Sequence, residues 1–205
     1  MNIRYVTIER EYGSGGTEIA ERVAEECGIS CYGREIMERA AAKLHISVEE
    51  AQYYEENASN SFLYSMFVMS QAQAGSTDML PMEGKLYVEE HSTISDLARQ
   101  GKAVFVGHCA SEALKGEHGV LRVFIRADEE SKKKRAVEVY GIPQQDADKV
   151  CRRYNKKRAS YYAFNTTKKW EDPDNYDMIL DSSVIGIDGC VKAIAALVNN
   201  ESSYR

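Results

Sequence analysis

A glycine-rich turn near the start of the chain is the feature of this sequence most suited to chemistry. It consists of Gly13, Ser14, Gly15, Gly16 and Thr17. Glycines let successive main-chain amides converge, and the amino end of a following helix adds partial positive charge. The sequence therefore predicts that this turn binds the phosphates of a nucleotide. A tight strand-to-helix turn without a ligand is the alternative.

Two known glycine motifs can be compared with this turn. A dinucleotide-binding turn needs G-x-G-x-x-G, but its last position would fall on Glu18, whose carboxylate would repel pyrophosphate. The phosphate loop G-x-x-x-x-G-K-[ST] fits better, with Gly15 as its second glycine and Thr17 as its hydroxyl residue. Gly16 stands in the lysine position and Arg10 in the first glycine position. We hypothesise that Arg10 supplies the missing charge and that Thr17 binds Mg²⁺.

Basic residues are concentrated at 132–169 and include Arg135, Arg153 and Arg158. Phosphoryl transfer requires positioning and the neutralisation of spreading negative charge, and arginines on a mobile pair of helices supply both while excluding water. We therefore predict a lid in which these three arginines contact the phosphoryl group. The alternative is a solvated helix face, because most runs of charge are only that.

The elements that must position these residues alternate between strands and helices. Strands are predicted at 3–9, 103–107, 120–126 and 176–180. Helices are predicted at 17–27 with Thr17 as the N-cap, at 34–44, from a capping box at 47–50, and at 85–99, 128–140, 143–165 and 188–199. Such alternation is typical of an α/β fold with a parallel sheet. Because ligands bind beyond the carboxyl ends of parallel strands, we expect the glycine turn, Gly107 and Asp181 to meet there.

The composition argues against several other classes of protein. The net charge is −6, which disfavours a general nucleic-acid binder. The chain has no run of about 18 apolar residues and no apolar signal segment at its start, so we expect a cytoplasmic protein that does not enter a membrane. Five cysteines are an odd number in a chain without a signal segment, so we expect reduced thiols. No second Cys or His pair completes a zinc set with Cys27 and Cys31.

The order of several motifs resembles the cytidylate kinase-like family of bacterial proteins. The matching segments are E-R-E-Y-G-S-G-G at 9–16, C-Y-G-R-E at 31–35, V-F-V-G-H-C-A at 104–110, R-A-S-Y-Y at 158–162 and Y-D-M-I-L-D-S-S at 176–183. The resemblance covers about residues 3–195 and is weakest at 58–83. No single motif is specific, but their combined order is.

The resemblance implies one P-loop NTPase-type domain over residues 1–205, with a helical cap for a nucleoside monophosphate at about 46–100 and a lid at about 128–168. It implies ATP with Mg²⁺ as the phosphate donor and CMP or dCMP as the acceptor. On this basis Glu9, Arg34 and His108 would contact the acceptor, although His108 stands where the family usually has an arginine. Asp181 would lie near the adenine, where it could simply cap a turn.

Three functions stay open at this point. Kinase activity on CMP or dCMP is favoured. A nucleotide- or phosphate-binding regulatory protein without turnover is the second, because Gly16 and His108 replace the usual lysine and arginine. A kinase for another small acceptor is the third, since a fold does not determine function. The stripe Phe62, Tyr64, Met66, Phe67 and Met69 is expected to form either cap core or the face of a homodimer.

Overall fold

A parallel β-sheet forms the centre of the protein. The computed structural model describes residues 2–56 and 80–200, and within these ranges five strands form one sheet. They are β1 (Tyr5–Arg10), β2 (Ser30–Tyr32), β3 (Ala103–Val106), β4 (Val120–Arg126) and β5 (Met178–Asp181). Their order is β2-β3-β1-β4-β5, and every neighbouring pair is parallel.

Helices cover both faces of this sheet. In the described ranges they are α1 (Gly16–Cys27), α2 (Arg34–Leu44), α3 (Val48–Glu56), α4 (Met82–Ala98), α5 (Ala110–Ala113), α6 (Glu129–Glu138), α7 (Ala147–Thr166) and α8 (Ser182–Asn199), with a 3-10 turn at Pro173–Asn175. Helix α8 is interrupted at Gly186, whose backbone is not helical. Because β1 lies at the centre of the sheet, its carboxyl end lies between the helices that cover the two faces.

The core follows from the alternation of side chains along the strands. Val6 and Ile8 of β1 face α1 and α8, and there they belong to one apolar cluster with Ile19. Tyr5 faces the other side and packs with Ile94 of α4. Burial on both faces explains why β3 is apolar without interruption, as parallel strands usually are.

Most elements agree with those expected from the sequence, and the differences are local. The α2 bounds agree, and the capping box is confirmed because the Ser47 amide donates to Glu50 Oε2 and the Glu50 amide donates to Ser47 Oγ. Thr17 as N-cap is wrong, because α1 begins at Gly16 with Gly15 as its N-cap. Strand β2, helix α5 and the 3-10 turn were not predicted. The stripe at 62–69 lies outside the described residues.

One described helix, α8, is long and apolar enough to span a membrane by length and composition alone. Its residues Val191, Ile194 and Val198 are buried in the core cluster that also contains Ile19 and Val23 of α1. Packing against α1 accounts for these buried residues, whereas Val184 and Ile185 of the same helix are exposed.

Candidate functional site

The glycine turn connects the end of β1 to the start of α1. Gly13 has φ 84° and Gly15 has φ 76°, a left-handed conformation that glycine adopts with little strain. Among the described residues, no side chain caps the start of α1. The first amides of a helix have no partner within it, so the amides of Gly16, Thr17 and Glu18 are available to an anion, whereas the Ile19 amide donates to the carbonyl oxygen of Gly15.

Helices α6 and α8 approach this turn closely. A methyl group at Gly13 would lie 2.6 Å from the carbonyl oxygen of Lys132, and one at Gly15 would lie 2.4 Å from Cδ1 of Ile187. Arg135 also lies over Gly15, with its Cζ 3.3 Å from that position. Gly13 is therefore needed for packing against the backbone of α6 as well as for its left-handed conformation, whereas at Gly15 the nearest atom is the end of a flexible side chain.

The side chain of Arg10 explains why glycine, and not lysine, occupies position 16. A methyl group at Gly16 would lie 2.4 Å from Cβ of Arg10, so a lysine there would collide with the arginine. A methyl group at Gly107, which has φ 75°, would lie 2.4 Å from Nη1 of Arg10. The guanidinium thus extends from the turn to the end of β3. Its Nε is buried without a hydrogen-bond partner in the described part of the chain.

A cleft of about 530 Å³ opens beyond the ends of β1 and β3. This volume is typical of sites for small molecules. Six of the residues proposed from the sequence line it, namely Glu9, Arg10, Thr17, Arg34, His108 and Arg158. Thr17 of the glycine turn lines the cleft, whereas Gly13, Ser14, Gly15 and Gly16 are not among its described lining residues. The six predicted residues come from four separate stretches of sequence, and the fold brings them together.

A buried charged cluster lies on one wall of this cleft. Nδ1 of His108 lies 2.9 Å from Oε1 of Glu90 and 3.5 Å from Oε1 of Glu55. The hydroxyl of Tyr161 donates to the other oxygen of Glu90, which is fully buried. His108 has φ 53°, an uncommon conformation for a residue with a side chain, so the surrounding structure must hold it there.

Burial and neighbouring charges oppose each other at both His108 and Glu55, and both pKa values end up raised. Burial alone would lower the pKa of His108, but the carboxylates of Glu90 and Glu55 outweigh it and raise the pKa to about 9. Burial raises the pKa of Glu55 to about 7, against the attraction of His108, Arg10 and Arg158. His108 is therefore an imidazolium at neutral pH.

Arg158 and Glu9 complete the charged lining. Nη1 of Arg158 donates to the carbonyl oxygen of Arg10 at 2.7 Å. Burial lowers the pKa of Arg158 to about 9, and the neighbouring charge of Arg10 adds to this, but the side chain remains a cation at neutral pH. Nε1 of Trp170 donates to Oε2 of Glu9 at 3.0 Å, which holds this buried carboxylate in place.

The other predicted side chains, Arg135, Arg153 and Asp181, are not among the described residues that line the cleft. Arg135 forms an ion pair with Glu18 beside the glycine turn. Arg153 is exposed and lies over the ring of Tyr154, 5.2 Å from its centroid. Asp181 accepts a hydrogen bond from the Ser183 amide at 3.1 Å and so caps α8, as the sequence allowed. The roles predicted for Arg153 and Asp181 toward a ligand stay predictions.

Sequence reasoning missed Glu55 and Glu90. For Glu90 a signal exists, because it lies four residues from Leu86 and from Ile94 and therefore shares the apolar face of α4. A carboxylate on such a face needs a buried partner, here His108. Glu55 lies on α3 among other acids, and no local pattern distinguishes it from them.

Solved structures with a similar fold define the class of protein. An uncharacterized protein from Eubacterium ventriosum is 22% identical, with a TM-score of 0.68 over 96% of this chain and 98% of that one. Shikimate kinases from Acinetobacter baumannii and Bacteroides thetaiotaomicron are each 11% identical, with TM-scores of 0.51. Those two alignments cover 96% and 95% of this chain, and 93% and 97% of the kinases. The protein therefore has the α/β fold of P-loop kinases.

The family follows from the sequence. The chain belongs to the cytidylate kinase-like family, whose model matches residues 5–184. Among curated proteins, none matches. Family membership confirms the resemblance seen in the motifs and supports a nucleotide kinase-like role, that is, a phosphotransferase of the kinase type. A fold of this class also favours the use of a nucleotide and a metal ion in general terms.

Proposed function

We propose that the protein transfers the γ-phosphate of ATP to a nucleoside monophosphate, with CMP or dCMP as the favoured acceptor. The observation that carries this proposal is the placement of three cations, Arg10, His108 and Arg158, in one cleft beside the glycine turn. Phosphoryl transfer depends on such a concentration of positive charge, because negative charge spreads over the transferred group in the transition state.

The donor phosphates would bind the glycine turn. The uncapped start of α1 offers amides to an anion, and Thr17 lines the cleft and carries a hydroxyl that is a suitable ligand for Mg²⁺. When bound, the ion would neutralise part of the phosphate charge. Arg10 would take the place of the missing lysine, since its guanidinium leaves the turn toward the cleft. Arg135 and Arg153 of the lid would close over the donor.

The acceptor would occupy the end of the cleft between α2, α3 and β3. Arg34 opens α2 and lines the cleft, and its pairing with Glu38 at 2.8 Å on the exposed face could be exchanged for a phosphate. His108 replaces the arginine usual in the family and carries a positive charge at neutral pH. Glu9 would orient the attacking phosphate oxygen.

ADP release measured separately with CMP, dCMP, UMP and AMP tests the proposal. We expect turnover with CMP or dCMP in the presence of ATP and Mg²⁺. Arg10→Gln should reduce kcat/KM by about 10²- to 10³-fold, because it removes one transition-state charge contact. Arg99→Gln, on the exposed end of α4, is the matched control and should leave the rate unchanged. Background rates with all four acceptors would overturn the proposal.

A binding protein without turnover is the second candidate. It is favoured by Gly16 in the lysine position and by His108 in place of the family's usual arginine. Calorimetry would then show ATP binding without phosphate transfer to any acceptor. The substitution Gly16→Lys is a poor test of lost turnover, because the new side chain would collide with Arg10.

A further inference from the structure

The carboxylate of Glu55, on α3, places a negative charge among the cations that line the cleft. This carboxylate lies 3.5 Å from Nδ1 of His108, and Arg10 and Arg158 also attract it electrostatically. The carboxylate therefore lies among the three cations assigned above to the phosphoryl groups. Helix α3, which carries Glu55, also contacts α7, which carries Arg158.

The two carboxylates beside His108 are held very differently. Glu90 is fully buried and fixed by the hydroxyl of Tyr161 and by the 2.9 Å contact with His108. The side chain of Glu55 keeps 25% of its exposure, and its contact with His108 is longer. Glu90 is thus the permanent partner of His108, whereas Glu55 can leave the cluster without unpairing a buried cation.

The surroundings of Glu55 also stabilise its ionised form only in part. Burial and the neighbouring Glu90 raise its pKa to about 7 even though three cations surround it. Desolvation of this singly charged carboxylate is costly. Among the described residues, the ion pair that offsets this cost is the 3.5 Å contact with His108. A phosphate monoester carries more charge and more acceptor oxygens, so it would satisfy the same three cations better.

We propose that the Glu55 carboxylate occupies the position where the phosphate of the acceptor binds, and that the acceptor displaces it from Arg10, His108 and Arg158. This inference rests on the proposed function in taking the acceptor to be a phosphate monoester. Glu55 holds the cations together in the ligand-free cleft and is exchanged for an anion of higher charge. Uncharged acceptors cannot make this exchange, so Glu55 contributes to specificity.

The test compares the unmodified protein with Glu55→Gln in calorimetric titrations with inorganic phosphate and with CMP. Removing the competing charge should tighten the binding of both by about tenfold, the amount expected for one charged contact. Glu49→Gln, on the exposed face of the same helix, is the control and should bind like the unmodified protein. If Glu55→Gln does not fold, Glu55→Asp replaces it and should tighten binding to a smaller extent.

Three results would overturn the inference. Unchanged phosphate binding would show that Glu55 does not compete for the site. Weaker CMP binding would show that Glu55 contacts the acceptor itself. Binding of Mn²⁺ that is lost in Glu55→Gln would show instead a metal site, because ligand atoms of Glu55, Glu90 and His108 lie within 4.8 Å of one another. Phosphate binding needs no turnover, so tighter binding without phosphorylation of any acceptor would contradict only the proposed function.

Discussion

The folded protein should become less stable as the pH rises, because the buried ion pair of His108 and Glu90 is lost when His108 gives up its proton. The pKa of His108 is raised from 6.5 to about 9 by the carboxylates around it, in spite of burial, which lowers it. A group with a raised pKa contributes its full stabilisation below the pKa of the unfolded chain and loses it as the pH rises through the folded value. The loss should therefore fall between pH 6.5 and about pH 9.

The size of the effect follows from the two pKa values. A rise from 6.5 to about 9 corresponds to about 3 kcal/mol of unfolding free energy. His108 is only 9% exposed, so solvent screens this interaction little. Glu55, whose pKa is raised from 4.5 to about 7, acts in the same direction at lower pH. The contributions of Glu55 and His108 to stability should therefore both decrease as the pH rises from 4.5 to about 9.

Urea denaturation at pH 6.5 and at pH 9, followed by circular dichroism, measures this loss. The comparison is the double variant His108→Gln with Glu90→Gln, which replaces the ion pair by two neutral amides that can still hydrogen-bond. The single variant His108→Gln is less suitable, because it leaves a buried carboxylate without its cation and should cost about 3–5 kcal/mol at neutral pH. If the double variant loses as much stability between the two pH values as the unmodified protein, the assignment of the effect to His108 is refuted.

Two substitutions test the packing around the cleft, both by chemical denaturation. Gly16→Ala should destabilise the protein by about 1–3 kcal/mol, because its methyl group would meet Arg10. Gly116→Ala, where a methyl group meets no atom within 4 Å, should be close to neutral, and equal effects at both sites would contradict the steric argument. Trp170→Phe should cost about 1–3 kcal/mol, because Glu9 would lose its hydrogen-bond donor in a buried site. A stability equal to that of the unmodified protein would show that water replaces this donor.

Much of the fold could be predicted because its signals are local. The bounds of α2 and β4 agree with the sequence pattern, and the parallel sheet follows from apolar strands separated by helices. Strand β2 was missed because its three residues are only partly buried, so they show neither alternation nor a continuous apolar run. The start of α1 was misplaced by one residue, because Gly15 takes the N-cap position through its left-handed backbone.

The sequence by itself determined that a glycine turn would stand at the carboxyl end of a buried strand, since backbone conformation depends on neighbouring residues. It also placed Arg10, Thr17, Arg34, His108 and Arg158 as candidates, and the structure brings all five to one cleft.

Only the tertiary structure decided how their charges are compensated. Arg10 crosses over Gly16, Glu90 pairs with His108 from another helix, and Glu55 reaches the same nitrogen from α3. These partners are separated by many residues along the chain, and their contacts depend on how whole helices pack against the sheet. No local pattern specifies that packing.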